Sequence, residues 1–106
     1  RPEDLEMITN RDILEINQYS TDNAQLYRCN NAAAWKCLDK NGNLVVALFN
    51  LCDEERKVSA DIGKYGYDKK YNATELWTKK EQTFTDNVSA LIPAHGCVIY
   101  RMEEIA

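Results

Sequence analysis

From Ala24 onward, apolar and polar side chains alternate with a period of two, the pattern of strands that bury one face. The alternation falls into eight runs, over 25–29, 34–39, 44–50, 57–62, 72–78, 82–85, 88–92 and 97–102. Turn residues stand between them. Asp39-Lys40-Asn41-Gly42-Asn43 reads as a hairpin connection, with Asn41-Gly42 supplying positive φ in a type I′ turn or a bulged variant. Asp53-Glu54-Glu55 reads as an acidic turn, and Pro93-Ala94-His95-Gly96 as a tight corner. Residues 63–70 read as a longer polar loop that exposes Tyr65 and Tyr67. Both faces of Leu44-Val45-Val46-Ala47-Leu48-Phe49 are apolar, which predicts a central strand. In the last run Val98, Tyr100 and Met102 share one face, and Cys97, Ile99 and Arg101 the other. Eight short strands at this spacing predict an all-β fold, an antiparallel eight-stranded β-sandwich of Greek-key type rather than βαβ units.

The first 20 residues follow a different period. Pro2, Glu3 and Asp4 suit a helix first turn: the proline needs no donor there, and the carboxylates face the positive end of the dipole. Thr9 or Asn10 offers a second N-cap, after which Ile13 and Ile16 share an apolar face beside Leu14. The expected division is a short helix and linker over 1–20, followed by the sandwich over 21–106. A helix this short is marginal in water by itself, so it must pack on something.

Composition narrows the function classes. The 106 residues are 44% hydrophobic and 28% charged, an ordinary globular balance for one domain or part of a larger one. A chain of this size buries about two-thirds of its surface, enough for a core but little for a deep, walled active site. The net charge of −4 gives no electrostatic footprint for nucleic acid or an anionic membrane, so neither is expected as a partner. A start at Arg1-Pro2 in mid-pattern suggests a fragment of a longer chain. Asn72-Ala73-Thr74 and Asn87-Val88-Ser89 fit the glycosylation sequon, which matters only in a eukaryotic secretory pathway. The compartment stays open.

Four cysteines admit three disulfide connectivities, but Cys29, Cys37, Cys52 and Cys97 lie mostly in apolar or alternating runs. Buried thiols are the favoured reading. Their spacing matches no zinc pattern, and the single histidine removes any two-histidine motif, so no metal or cofactor is expected. His95 and Cys97 are two apart and could share a strand face, but a histidine in a Pro-Ala-His-Gly corner is a turn residue first and a catalytic base second. Carboxylate pairs of the glycosidase kind would have to come from 17 acidic residues that stand mostly in turns or on exposed faces. No catalytic residue is assigned. Trp35 and Trp77, each inside an alternating run, are expected to fill the inter-sheet core. The alternative makes Trp35, Trp77, Tyr65 and Tyr67 a stacking platform for sugar rings.

Two segments carry a resemblance. Ile8-Thr9-Asn10-Arg11-Asp12-Ile13-Leu14-Glu15-Ile16-Asn17-Gln18 resembles the run that forms the last barrel helix of glycoside hydrolase family 27, the α-galactosidases and α-N-acetylgalactosaminidases. Tyr19-Ser20 follows it where the family commonly has Asp-Pro. The second is the ordered set Ala34-Trp35-Lys36-Cys37-Leu38, Val46-Ala47-Leu48-Phe49-Asn50, Thr74-Glu75-Leu76-Trp77 and Pro93-Ala94-His95-Gly96-Cys97. That order is similar to the family's C-terminal β-sandwich. The resemblance implies a retaining α-galactosidase as parent, with two catalytic aspartates on barrel strands upstream of this sequence. It implies a supporting role for the sandwich, with the barrel of the same polypeptide as partner and a galactoside as the barrel's substrate. Leu5, Ile8, Ile13 and Ile16 would contact that barrel. A free-standing carbohydrate-binding module and an Ig-like interaction domain are the alternatives.

Overall fold

The computed structural model describes residues 21–105, with side chains from Ala24 onward. The helix and linker expected over 1–20 lie outside the described residues. Eight strands are present: β1 (Thr21–Arg28), β2 (Ala32–Leu38), β3 (Leu44–Asn50), β4 (Arg56–Asp61), β5 (Tyr71–Glu75), β6 (Glu81–Phe84), β7 (Asn87–Ile92) and β8 (Cys97–Glu104). One short 3-10 turn, Gly63–Tyr65, interrupts the polar loop between β4 and β5. Every strand pair is antiparallel. The strands form a six-stranded sheet in the order β1-β2-β3-β8-β5-β6 and a two-stranded sheet of β4 and β7. This is the antiparallel sandwich that the alternation predicts.

β3 lies between β2 and β8, as its two apolar faces require. Leu44, Val46 and Leu48 point toward the two-stranded sheet and meet Val58, Ala60, Val88 and Ile92 in the core. Tyr100 and Met102 of β8 join them, at 3% and 1% exposure, on the face their alternation predicts. β8 is the last strand in sequence and enters between β3 and β5, which ties the first half of the chain to the second. Fully burying a side chain such as Leu48 contributes about 1.5–3 kcal/mol.

Local chemistry sets the strand ends. In the β2–β3 connection only Gly42 takes positive φ, at 82°, so the turn is the bulged variant. The Asp39 carboxylate accepts the N–H groups of Asn41 and Asn43, both at 2.9 Å, and so fixes the turn from within. β5 ends at Glu75 instead of running to Thr78. The buried Glu75 carboxylate accepts the N–H groups of Trp77 (3.0 Å) and Thr78 (3.1 Å), which turns the chain out of the strand. Lys79, at φ 63°, closes that turn with its N–H on the Glu75 carbonyl.

Asn50, at the end of β3, is 1% exposed. Its amide nitrogen donates toward the carbonyls of Glu54 (2.8 Å), Ile92 (2.9 Å) and Pro93 (3.1 Å). Its oxygen accepts the Cys52 N–H at 2.9 Å. One side chain thereby fastens the β3–β4 connection to the β7–β8 corner, where a buried polar group without partners would be costly.

Candidate functional site

The four aromatic residues of the possible sugar platform are divided by the six-stranded sheet. Trp35 does not fill the inter-sheet core. Its register partner Ala47 and the next residue in the row, Ile99, belong to the face that points away from the two-stranded sheet. There Trp35 stands 43% exposed. The small Ala34 beside it faces the core instead and leaves room for the second sheet. Trp77 is half-buried in the turn after β5, close enough to the Cys97 thiol to affect its titration, and Cys97 shares the outward face with Ile99. Trp77 therefore lies on the same side of the sheet as Trp35.

Tyr67 belongs to the other side, and Tyr65 stands at the β1 edge. Tyr65 is exposed, yet its hydroxyl donates to the Leu26 carbonyl of β1 at 2.8 Å, so the ring is tied to the sandwich. Tyr67 is half-buried against the core, and the Lys36 ammonium sits 3.4 Å from its hydroxyl and 5.7 Å from its ring centroid. Both rings are thus held by packing and hydrogen bonds.

His95 occupies the corner as a turn residue, with φ 56°. The turn is closed by the Gly96 N–H on the Pro93 carbonyl at 3.0 Å. The His95 ring lies 2.7 Å from the Asp53 carboxylate, and both side chains are largely exposed. This pair joins the same two connections that Asn50 fastens. Cys97 lies close to Trp77, and burial pushes its thiol pKa up, the opposite of what a thiolate nucleophile needs. All four cysteines are thiols. Cys37 is buried, Cys52 and Cys97 are intermediate, and Cys29 is exposed, against the expectation that most are buried.

The outward face of the six-stranded sheet remains. On it Ala33, Cys37 and Val45 are buried to 2%, 7% and 3% exposure, with Ala47, Phe49 and Ile99 half-buried among them. A sheet with two apolar faces is a central layer, and the two-stranded sheet covers one of them. This apolar band, with Trp35 standing out of it, is the candidate functional surface.

Comparison with known proteins agrees with this architecture. The profile of the alpha galactosidase C-terminal beta sandwich domain matches residues 31–102. The chain belongs to this family.

Solved structures place the α-galactosidase-type sandwich in larger molecules. The chain is similar to a family 27 β-L-arabinopyranosidase from Geobacillus stearothermophilus, at 25% identity and a TM-score of 0.83, covering 93% of this chain and 23% of that one. It is similar to a candidate α-N-acetylgalactosaminidase from Bacillus halodurans, at 25% identity and a TM-score of 0.86, covering 100% of this chain and 25% of the other. The α-galactosidase I of Mortierella vinacea shares the fold at 20% identity and a TM-score of 0.81, with coverage of 95% and 28%. This chain thus spans about a quarter of the length of these structures. No curated protein matches the sequence.

Sequence reasoning missed the role of Asn50. A polar residue closing the apolar run Leu44-Val45-Val46-Ala47-Leu48-Phe49 was the available signal.

Proposed function

We propose that this chain is the non-catalytic C-terminal sandwich of an α-galactosidase-type glycosidase, docked on a catalytic barrel of the same polypeptide. The outward face of the six-stranded sheet carries the reading. It offers the half-buried Ala47, Phe49 and Ile99 to a second body, and the exposed Trp35 of β2 supplies a large anchor beside them. Interfaces of this kind bury about 600–1,500 Å². In this reading residues 1–20 form the last barrel helix and the linker, and Leu5, Ile8, Ile13 and Ile16 contact the barrel. The galactoside is bound and hydrolysed by the barrel, and the sandwich supports the barrel's closing helix. The family match and the quarter-length coverage of the solved structures support this arrangement.

The test is the native mass of the protein in its host, measured after pull-down with an antibody to this chain. The expected species is several times heavier than 12.2 kDa and hydrolyses a p-nitrophenyl α-galactoside. A native species near 12 kDa overturns the reading. Quenching of Trp35 fluorescence by galacto-oligosaccharides would then identify a free-standing sugar-binding module.

A further inference from the structure

On the inner side of the six-stranded sheet, away from the proposed barrel contact, the two layers do not match in width. The two-stranded sheet ends at β7, which pairs with β4 and has no second strand beside it among the described residues. Alternate N–H and C=O groups along that edge are left open, the condition that invites another strand. Next to the edge lies a cleft of about 620 Å³. Glu75, Gln82, Val98 and Tyr100 of the large sheet form one wall, and Ser89 to Leu91 of β7, with Ala90 turned inward, form the other. Leu91 is 65% exposed.

The charges in the cleft select the occupant. Lys57 and Lys80 line it, and neither ammonium group has a partner among the described residues. The one carboxylate in the lining, Glu75, is already held by the N–H groups of Trp77 and Thr78. Gln82 donates to the Tyr100 hydroxyl at 2.9 Å. The polar groups at the base of the cleft are therefore satisfied, and the unmatched charge is positive. No aromatic face opens toward a sugar, because Tyr100 is 3% exposed and packs edge-on against Phe84 at 5.2 Å and 76°.

We propose that this cleft accepts an extended, carboxylate-bearing peptide segment, which adds as a strand to the free edge of β7 and sets its acidic side chains against Lys57 and Lys80. Main-chain pairing supplies the docking, Ala90 and Val98 receive the inward apolar side chains, and the lysines choose the charge of the outward ones. The segment completes the smaller sheet, whose two strands are otherwise a minimal layer.

The test uses the 106-residue chain and a ten-residue probe of alternating valine and glutamate, followed by backbone amide NMR. Perturbation and slowed exchange of the Ser89 to Leu91 amides are expected. The double variant Lys57→Glu/Lys80→Glu should weaken the probe at least tenfold and favour a valine–lysine probe instead. Methylating alternate backbone nitrogens of the probe should abolish binding, which separates strand pairing from charge attraction. Both lysines are exposed, so the variant's unchanged urea midpoint confirms that its fold is intact. The proposal is overturned if millimolar probe leaves the β7 amides unmoved. It is equally overturned if the N-methylated probe binds as well, or if polygalacturonate occupies the cleft while the peptide does not.

Discussion

Asn50 joins two separate connections through four hydrogen bonds of one buried side chain. Its two amide protons serve three carbonyls from two different loops, and its oxygen holds the Cys52 N–H. Asn50→Ala leaves these groups buried without partners and should cost about 2–3 kcal/mol, read as a fall in the urea midpoint. Asn50→Asp should be worse near neutral pH, because a carboxylate would face carbonyl oxygens. The exposed His95–Asp53 pair spans the same loops, but Asp53→Asn should leave the midpoint within error. Burial also acts on titration. It raises Cys97 from an ordinary value of 9.0, and Tyr27, Tyr71 and Tyr100 from 10.0. The folded chain thus keeps these protons to higher pH than the unfolded chain. Their contribution to stability is full below the ordinary values and is lost as pH climbs from there through the folded values. Melting temperatures should accordingly fall on the alkaline side, starting near pH 9, and Cys97→Ala should delay the onset toward pH 10.

At the scale of elements, the strands were legible and their layering was not. β3 matches its expected bounds in full, since an apolar run between a glycine turn and an acidic turn has few other solutions. β5 stops three residues early because Glu75 bonds the backbone ahead of it, a contact that alternation does not encode. The alternation of β2 assigns Trp35 to one face and Ala34 to the other, but does not say which face meets the second sheet. Side-chain size points the wrong way there. The core needs the small residue so that β4 can approach, and the tryptophan goes outward. The exit from β4 has a similar steric demand. Ile62 and Gly63 both donate their N–H groups to the Asp86 carbonyl, which draws the β4 end onto the β6–β7 connection. A Cβ on Gly63 would lie 2.8 Å from the Asp86 Cβ, with neither backbone free to withdraw. Gly63→Ala should therefore cost about 1–3 kcal/mol, measured by chemical unfolding.

For the whole molecule, the outward face of the six-stranded sheet is where the proposed barrel contact can be tested. Its register runs from the exposed Trp35 through the half-buried Ala47 to Ile99. The possible sugar platform was less legible than the fold, because layering decides which residues share a face. Four aromatic residues can be picked from a sequence, but only the sheet shows that Trp35 and Trp77 lie on one side of it, Tyr67 on the other and Tyr65 at the β1 edge. Trp35 then separates a stabilising role within the sandwich from a role between domains. Because it is 43% exposed, Trp35→Asp should leave the urea midpoint of the 106-residue chain within about 0.5 kcal/mol of the parent value. In a full-length enzyme with the proposed barrel contact, the same change would bury an unpaired carboxylate, which is strongly unfavourable. A single calorimetric transition should there divide into two, and galactosidase activity should be lost at a lower temperature than in the unsubstituted enzyme. An unchanged calorimetric profile would move the barrel contact away from this face, and a large loss in the 106-residue chain would make Trp35 part of the sandwich's own stability.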